Sequence, residues 1–122
     1  SRCVRLATYC GYPDAERDNR IMEMNFGDWE MKSFDEISDP RLKEWYADYI
    51  NVPATNGESF AIQYQRVASF LDELKEKNYE KVAIFAHGGV LICAQLYAGA
   101  IKQEEAFSAL TPYGGIIQLR LD

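Results

Sequence analysis

Histidine is nearly absent from this sequence, because His87 is the only one among 122 residues. One histidine and scattered carboxylates do not form the ligand set of a zinc or di-iron centre, so no metal is expected. The sequence also contains neither a serine elbow nor a P-loop, and no cofactor is expected. If His87 takes part in chemistry, its partners must therefore be sought among other residue types.

Cysteines and long apolar runs are also scarce. Cys3, Cys10 and Cys93 are odd in number, widely spaced and set among apolar residues, which argues against a disulfide framework or a CxxC site. We expect small apolar side chains in a reducing cytosol. No apolar run approaches the roughly 20 residues of a membrane span, and no signal peptide is visible. The expectation is a cytoplasmic protein with no membrane partner.

Positive charge is in the minority, with 13 Lys and Arg residues against 19 Asp and Glu, and a net charge of −6. A general nucleic-acid binder needs a basic face, so no nucleic-acid partner is expected. A small anionic substrate requires only a local basic cluster that overrides the global field. The composition, 48% hydrophobic and 26% charged, predicts one globular domain over residues 1–122.

Periodicity and turn residues predict several helices. Residues 1–10 place Cys3, Leu6 and Cys10 on one face, and Gly11 ends that helix. Residues 58–77 form the clearest helix, with an apolar stripe at the spacing of one buried face. The stripe consists of Phe60, Tyr64, Val67, Leu71 and Leu74. A further helix is predicted from Pro40 to Tyr49 with Asp39 as its cap, and another over 90–98, after Gly89 and ended by Gly99. Shorter helical segments are predicted over 33–37 and around 103–109.

Three segments predict strands, namely 20–26, 81–86 and 115–121. The apolar run "KVAIFA" (81–86) is typical of a strand buried on both faces of a parallel sheet. Helices alternating with such strands indicate an α/β fold, in which a doubly wound sheet normally has five or six strands. We therefore expect an N-terminally truncated sheet, and a homo-oligomer that forms through its exposed edge.

The segment "FAHGGV" (85–90) combines features of a phosphate site. A turn at the carboxyl end of a strand is where open α/β sheets bind ligands, and a following helix offers free N–H groups. Gly88 and Gly89 allow a ligand to approach the backbone, and His87 is placed to donate a hydrogen bond to a bound anion. The alternative is a structural histidine, because HGG alone is a short pattern.

Other candidates also have two interpretations. Glu23 lies among Met22, Met24 and Phe26, where a carboxylate partly removed from water can hold a proton as a general acid does. The alternation of the segment favours the other interpretation, in which Glu23 faces solvent and Met22 and Met24 point inward. Arg2 and Arg5 suit a phosphate clamp or an exposed helix face, and Glu58 suits a site or the first turn of a helix.

Four segments in order, "RCVRLA", "EMNFGDWE", "NGES" and "FAHGGV", resemble the histidine phosphatase superfamily, also called phosphoglycerate-mutase-like. Within it, "MEMNFGDWEM" followed by "PATNGESF" is most similar to the alpha-ribazole phosphatases. The resemblance covers essentially the whole chain. It implies a three-layer α/β/α fold.

The resemblance also implies roles for individual residues. Arg2 matches a phosphate-binding arginine, Glu23 the proton-donating glutamate of E-x-x-F-G, and His87 the second, phosphate-contacting histidine. Glu58 matches a glutamate near the pocket. Gly88 is a substrate-binding candidate from the glycine turn itself. The nucleophilic histidine of the family lies in an early R-H-G motif that this sequence does not contain.

The function implied is metal-independent hydrolysis of a small phosphorylated metabolite through a phosphohistidine, with alpha-ribazole 5′-phosphate of cobalamin biosynthesis as the expected substrate. The chain by itself is expected to be inactive. Two alternatives stay open: a non-catalytic remnant that binds a phosphorylated ligand or a partner, and a phosphatase of broad specificity. A mutase is disfavoured, because residues 28–57 leave little room for a longer basic substrate loop.

Overall fold

The structure is a computed structural model that describes residues 2–112 and 114–121, with the side chains of all of them except Phe107. Its α-helices in that range are α1 (Arg2–Tyr9), α2 (Arg41–Ala47), α3 (Phe60–Glu76) and α4 (Gly88–Tyr97). Short 3₁₀ helices occupy Asn19–Ile21, Gly27–Trp29, Phe34–Glu36, Gln103–Glu105 and Phe107–Ala109. None of the helices in the described range is long and apolar enough to cross a bilayer.

The predicted helices are confirmed, but the prediction of which face of α1 is buried is wrong. Gly11 and Gly99 adopt positive φ angles of 97° and 73° just beyond α1 and α4, as helix-ending glycines do. In α1, however, Ala7 is the buried residue, while Leu6 and Cys10 are exposed. Ala7 follows Cys3 by four residues, so the buried stripe runs through this pair.

The predicted α/β class, a truncated three-layer α/β/α arrangement, is wrong for the described residues, which contain no strand. Val82 and Ile84 are 48% and 36% exposed instead of buried on both faces, and Ile116 is 87% exposed. A strand is stabilised by ladder hydrogen bonds from a neighbouring strand, and the described segments supply no such ladder to one another. Apolar, β-branched composition alone therefore does not produce the sheet.

The expected homo-oligomer relied on an edge of that sheet. Because the described residues form no sheet, the self-association prediction loses the surface on which it was based. Self-association itself stays a prediction.

Contacts divide the chain into two compact units. Unit 1 consists of Ser1–Glu23 and Arg66–Asp122, and unit 2 of Met24–Gln65. The boundary falls within α3, whose buried residues include Phe60 in unit 2 and Val67 and Leu71 in unit 1. The predicted apolar stripe of this helix is thus confirmed along most of its length.

Two tryptophans form the core of unit 2. Trp29 and Trp45 pack edge to face, with ring centroids 5.9 Å apart, and Ala54 completes the buried cluster. Edge-to-face packing suits the ring quadrupoles and adds to the stabilisation from buried area. The partly buried residues around this cluster are Phe26, Ile37, Leu42, Tyr49 and Val52. This packing stabilises α2, which at seven residues is too short to persist alone.

Asp39 joins this core to the start of α2. Its Oδ1 accepts a hydrogen bond from the Arg41 amide at 2.9 Å, and its Oδ2 accepts from Trp29 Nε1 at 3.2 Å and from the Thr55 hydroxyl. The Thr55 hydroxyl is the largest cause of a lowered pKa at Asp39. A lowered pKa stabilises the fold above the ordinary Asp value of about 3.9, and this contribution is lost as the pH falls through the folded-state pKa.

In unit 1, α3 and α4 are linked through Tyr97. The Tyr97 hydroxyl donates a hydrogen bond to Asp72, and the Lys75 ammonium lies 5.6 Å from the centre of the Tyr97 ring. The buried residues of α4 are Val90, Ile92 and Cys93. These contacts anchor the C-terminal end of α4, whose other end carries the candidate site.

Truncation of the unit 2 core provides a direct test of this packing. Trp45 is 4% exposed, so Trp45→Ala should lower the free energy of unfolding by about 3–5 kcal/mol. Lys43→Ala, on the exposed side of the same helix, should change it by less than about 0.5 kcal/mol. Urea unfolding followed by far-ultraviolet circular dichroism measures both. Equal midpoints for the two variants would contradict the assignment of Trp45 to the core.

Candidate functional site

The start of α4 brings together most of the predicted site residues. His87 is the N-cap of this helix, with φ −109° and ψ 166°, and its carbonyl accepts the first helical bond from the Leu91 amide at 3.0 Å. Its imidazole makes no capping bond. The half-buried ring is therefore held by the backbone turn and by its neighbours in space.

Glu23 reaches this helix start from far along the chain. Its Oε2 accepts a hydrogen bond from the Gly89 amide at 3.3 Å, and the residue is half-buried. A carboxylate at a helix N-terminus is stabilised by the helix dipole and by the unpaired amides. Met22 is exposed instead. The solvent-facing alternative for Glu23 does not describe this arrangement, while its role as proton donor stays a prediction.

Cys3 lies beside His87, although Cys3 was not predicted to be a site residue. The Cys3 Sγ is 3.5 Å from His87 Nε2. Burial is the main cause that raises the pKa of the Cys3 thiol; the positive charge of Arg2 opposes the rise and the negative charge of Glu23 adds to it. Arg2 and Glu23 thus both act on the thiol that contacts His87. The signal available in the sequence was that Cys3 directly follows Arg2 in "RCVRLA".

Gly88 allows a side chain to lie against the helix start. A Cβ built on Gly88 would come within 2.7 Å of the Leu110 Cδ1, the end of a largely exposed side chain. Leu110 can turn away from this position without moving the backbone. The absence of a side chain at Gly88 therefore leaves room for Leu110 against the start of α4.

Glu58 belongs to unit 2, whereas Cys3, Glu23 and His87 belong to unit 1. Its Oε1 accepts a hydrogen bond from the Asn25 amide at 2.8 Å, and its own amide donates to the Asn25 carbonyl at 2.7 Å. This double contact fixes the segment that leads to Gly27, where a Cβ would come within 2.2 Å of the Thr55 carbonyl oxygen. The described contacts of Glu58 stabilise a loop, and its predicted place near a pocket stays a prediction.

Arg66 is a second residue near the site that was not predicted to contribute to it. From α3, its guanidinium donates hydrogen bonds to the backbone carbonyls of Arg20, Met22 and Glu23. The only signal in the sequence was a basic residue next to the buried Val67 in the apolar stripe. The structure thus gathers Cys3, Glu23 and His87 at the start of α4, and supports the Glu23 segment from α3.

No group of three or more His, Cys, Asp or Glu residues within the described ranges is arranged to hold a metal ion. Cys3, Glu23 and His87, together with the amides at the start of α4, can offer hydrogen bonds to an anion and transfer of a proton. The α4 amides are hydrogen-bond donors and Glu23 supplies a carboxylate here. Phosphate binding by Arg2 and His87 and proton donation by Glu23 stay predictions.

The sequence model of the histidine phosphatase superfamily (branch 1) matches residues 1–122. The chain belongs to this superfamily. Its relatives include a Hydrogenobacter thermophilus protein named "Putative phosphoserine phosphatase 2", 28% identical over 86% of this chain and 53% of that protein. The adenosylcobalamin/alpha-ribazole phosphatase of Escherichia coli is 36% identical over 58% of this chain and 37% of that protein.

A solved structure of the same superfamily has a similar backbone path. The alpha-ribazole phosphatase from Shigella flexneri matches with a TM-score of 0.73 and 27% identity, over 91% of this chain and 56% of that chain. The chain thus spans about half the length, or less, of the proteins that it matches. Phosphatases of this superfamily are therefore the class to which the site should be compared.

Alkylation tests the environment of Cys3. With iodoacetamide at neutral pH, the exposed Cys10 should react first, the half-buried Cys3 more slowly and the fully buried Cys93 last. The raised pKa of Cys3 leaves little of the reactive thiolate, so its rate should rise steeply as the solution is made alkaline. Peptide mass spectrometry measures each rate, with urea-unfolded protein as the control. Native Cys3 reacting as fast as Cys10 would contradict the described contact with His87.

Proposed function

We propose that the chain provides the phosphate-binding and proton-transfer part of a phosphomonoesterase that works through a phosphohistidine. The observation that carries this proposal is the contact between the Glu23 carboxylate and the Gly89 amide, in the same turn as His87. A carboxyl group beside the amides of a helix start is an arrangement that suits proton transfer to an ester of a bound phosphoryl group. Membership of the histidine phosphatase superfamily supports the same chemistry.

The proposed reaction has two steps. A histidine of the superfamily's R-H-G motif attacks phosphorus, so an N–P bond forms while the ester P–O bond breaks, and Glu23 gives its proton to the leaving oxygen. Glu23 then takes a proton from water as that water cleaves the N–P bond and releases phosphate. Arg2, His87 and the amides of α4 stabilise charge on the phosphoryl oxygens. Protonation of Glu23 also lowers the electrostatic repulsion between its carboxyl group and the phosphate of the substrate.

The proposed substrate is alpha-ribazole 5′-phosphate, which would place the protein in cobalamin biosynthesis. The names of the Escherichia coli relative and of the Shigella flexneri structure support this substrate. The Hydrogenobacter thermophilus relative is named for a different phosphomonoester, phosphoserine. Because both names describe small phosphomonoesters, the alternative is a phosphatase of broad specificity for such metabolites.

A second candidate is a module that binds a phosphorylated ligand without turnover. The observation that favours it is the single histidine of the sequence, since a phosphohistidine enzyme needs a nucleophilic histidine besides the one that contacts phosphate. For the same reason we propose that the 122 residues by themselves are inactive. The two candidates differ in whether a longer protein with an R-H-G segment before Ser1 hydrolyses phosphomonoesters.

The activity test compares the chain alone with such a longer protein. We expect no turnover of p-nitrophenyl phosphate or alpha-ribazole 5′-phosphate by the 122 residues, and turnover of both by the longer protein. Phosphate release measured by a coupled assay reports both rates. Turnover by the short chain that disappears in His87→Ala would overturn the roles proposed here, and an inactive longer protein would favour the binding module.

Substitution of Glu23 tests its role as the acid. In the longer protein, Glu23→Gln should slow hydrolysis of an alkyl phosphate by roughly 10²–10⁴-fold, the usual contribution of general acid catalysis. Hydrolysis of p-nitrophenyl phosphate should be affected much less, because its leaving group needs little protonation. The exposed Glu76 provides the matched control Glu76→Gln, which should change neither rate. Equal losses on both substrates would contradict the acid role.

A further inference from the structure

Arg66 makes an unusual set of contacts for a residue in the middle of a long helix. Its Nη1 lies 2.8 Å from the Arg20 carbonyl oxygen and 2.7 Å from the Met22 carbonyl oxygen, and its Nη2 lies 3.1 Å from the Glu23 carbonyl oxygen. All of these residues belong to unit 1. One half-buried guanidinium therefore binds three carbonyls within four consecutive residues.

The segment that receives these bonds has little structure of its own. The 3₁₀ helix ends at Ile21, and Met22 is extended, with φ −71° and ψ 153°. Backbone carbonyls outside helices and sheets need other donors when they are withdrawn from water. A guanidinium presents five N–H donors in a rigid fork, so it can hold several carbonyls at fixed relative positions. A lysine ammonium, as a single point of charge, cannot reproduce that geometry.

The third carbonyl belongs to Glu23, whose side chain accepts the hydrogen bond from the Gly89 amide at 3.3 Å. The direction of that side chain depends on the backbone from which it starts. We propose that Arg66 is a positioning residue, which holds the backbone of residues 20–23 so that the Glu23 carboxylate meets the start of α4. The effect of Arg66 on catalysis rests on the acid role proposed above for Glu23. The effect of Arg66 on the position of the Glu23 carboxylate does not depend on that role.

A second link between the same segment and α3 provides a matched control. The Arg20 side chain forms ion pairs with Asp18 and with Glu73 of α3. Glu73→Gln weakens the link to α3 while leaving the three carbonyl contacts of Arg66 in place. If any loosening of the segment displaced Glu23, Glu73→Gln and Arg66→Lys would have the same effect.

The first experiment uses this chain and needs no enzymatic activity. The pH-dependent shift of the Gly89 amide resonance, observed by ¹⁵N–¹H correlation spectroscopy, reports protonation of the carboxylate bonded to it. Other titratable and charged groups near the site are Arg2, Cys3 and His87, so Glu23→Gln identifies the part of the shift that is due to Glu23. We expect that part to persist in Glu73→Gln and to fall by at least about half in Arg66→Lys and Arg66→Gln, as the carboxylate moves away.

Three outcomes would overturn the proposal. One is a Glu23-dependent pH shift of the Gly89 amide resonance that is as large in both Arg66 variants as in the unchanged protein. Another is an equal loss of that shift in Glu73→Gln, which would show that any loosening of the segment is sufficient to displace Glu23. The third is loss of the helical circular dichroism signal in Arg66→Lys, which would make Arg66 a residue required for folding instead of positioning.

The second experiment uses the longer protein and alkyl and p-nitrophenyl phosphates. Arg66→Lys should reduce hydrolysis of the alkyl phosphate by about tenfold to a hundredfold, the effect of a displaced catalytic group, and change p-nitrophenyl phosphate hydrolysis much less. Glu73→Gln should leave both rates unchanged. If Glu23→Gln shows no such selectivity, the acid role fails, and the Gly89 measurement still decides the role of Arg66. Selectivity in Glu23→Gln without selectivity in Arg66→Lys would overturn the positioning proposal alone.

Discussion

The first amides of α4 have no acceptors within their own helix, and the site in unit 1 is organised around this requirement. One acceptor comes from Glu23, whose carboxylate bonds to the Gly89 amide across 66 residues of sequence. That contact requires the Glu23 backbone to be held at a fixed distance from the helix, which the three hydrogen bonds from Arg66 accomplish. His87 is then placed beside the same carboxylate because it is the N-cap of the same helix.

Charge near this helix start differs from the charge of the chain as a whole. The chain has a net charge of −6, but the amides at the start of α4, where His87 is the N-cap, present partial positive charge. Beside His87, burial raises the pKa of the Cys3 thiol, while the charge of Arg2 lowers it and that of Glu23 raises it further. Unit 2 depends on other forces, since its stability comes from the Trp29–Trp45 packing and from the bonds that converge on Asp39.

The helices could be predicted because their signals are local. The stripe of α3, the glycines after α1 and α4, and the Asp39–Pro40 start of α2 each involve residues within about one turn of each other. The N-cap of α2 is Pro40, one residue later than predicted. The strands could not be predicted correctly from "KVAIFA" or "GIIQLRL", because a strand also needs a partner that its own sequence does not specify. The two units likewise could not be foreseen, since their boundary lies inside the regular helix α3.

The sequence by itself determined that α1, α3 and α4 are helices and placed their ends to within about two residues, and its four ordered motifs indicated the superfamily to which the chain belongs. Only the tertiary structure decided which side chains meet. Cys3 and His87 are 84 residues apart, and Arg66 is 43 residues from Glu23. It also decided that Glu58 pairs with Asn25 in the other unit. The physical reason is that periodicity and capping report on neighbours along a helix, whereas these hydrogen bonds depend on how distant segments pack.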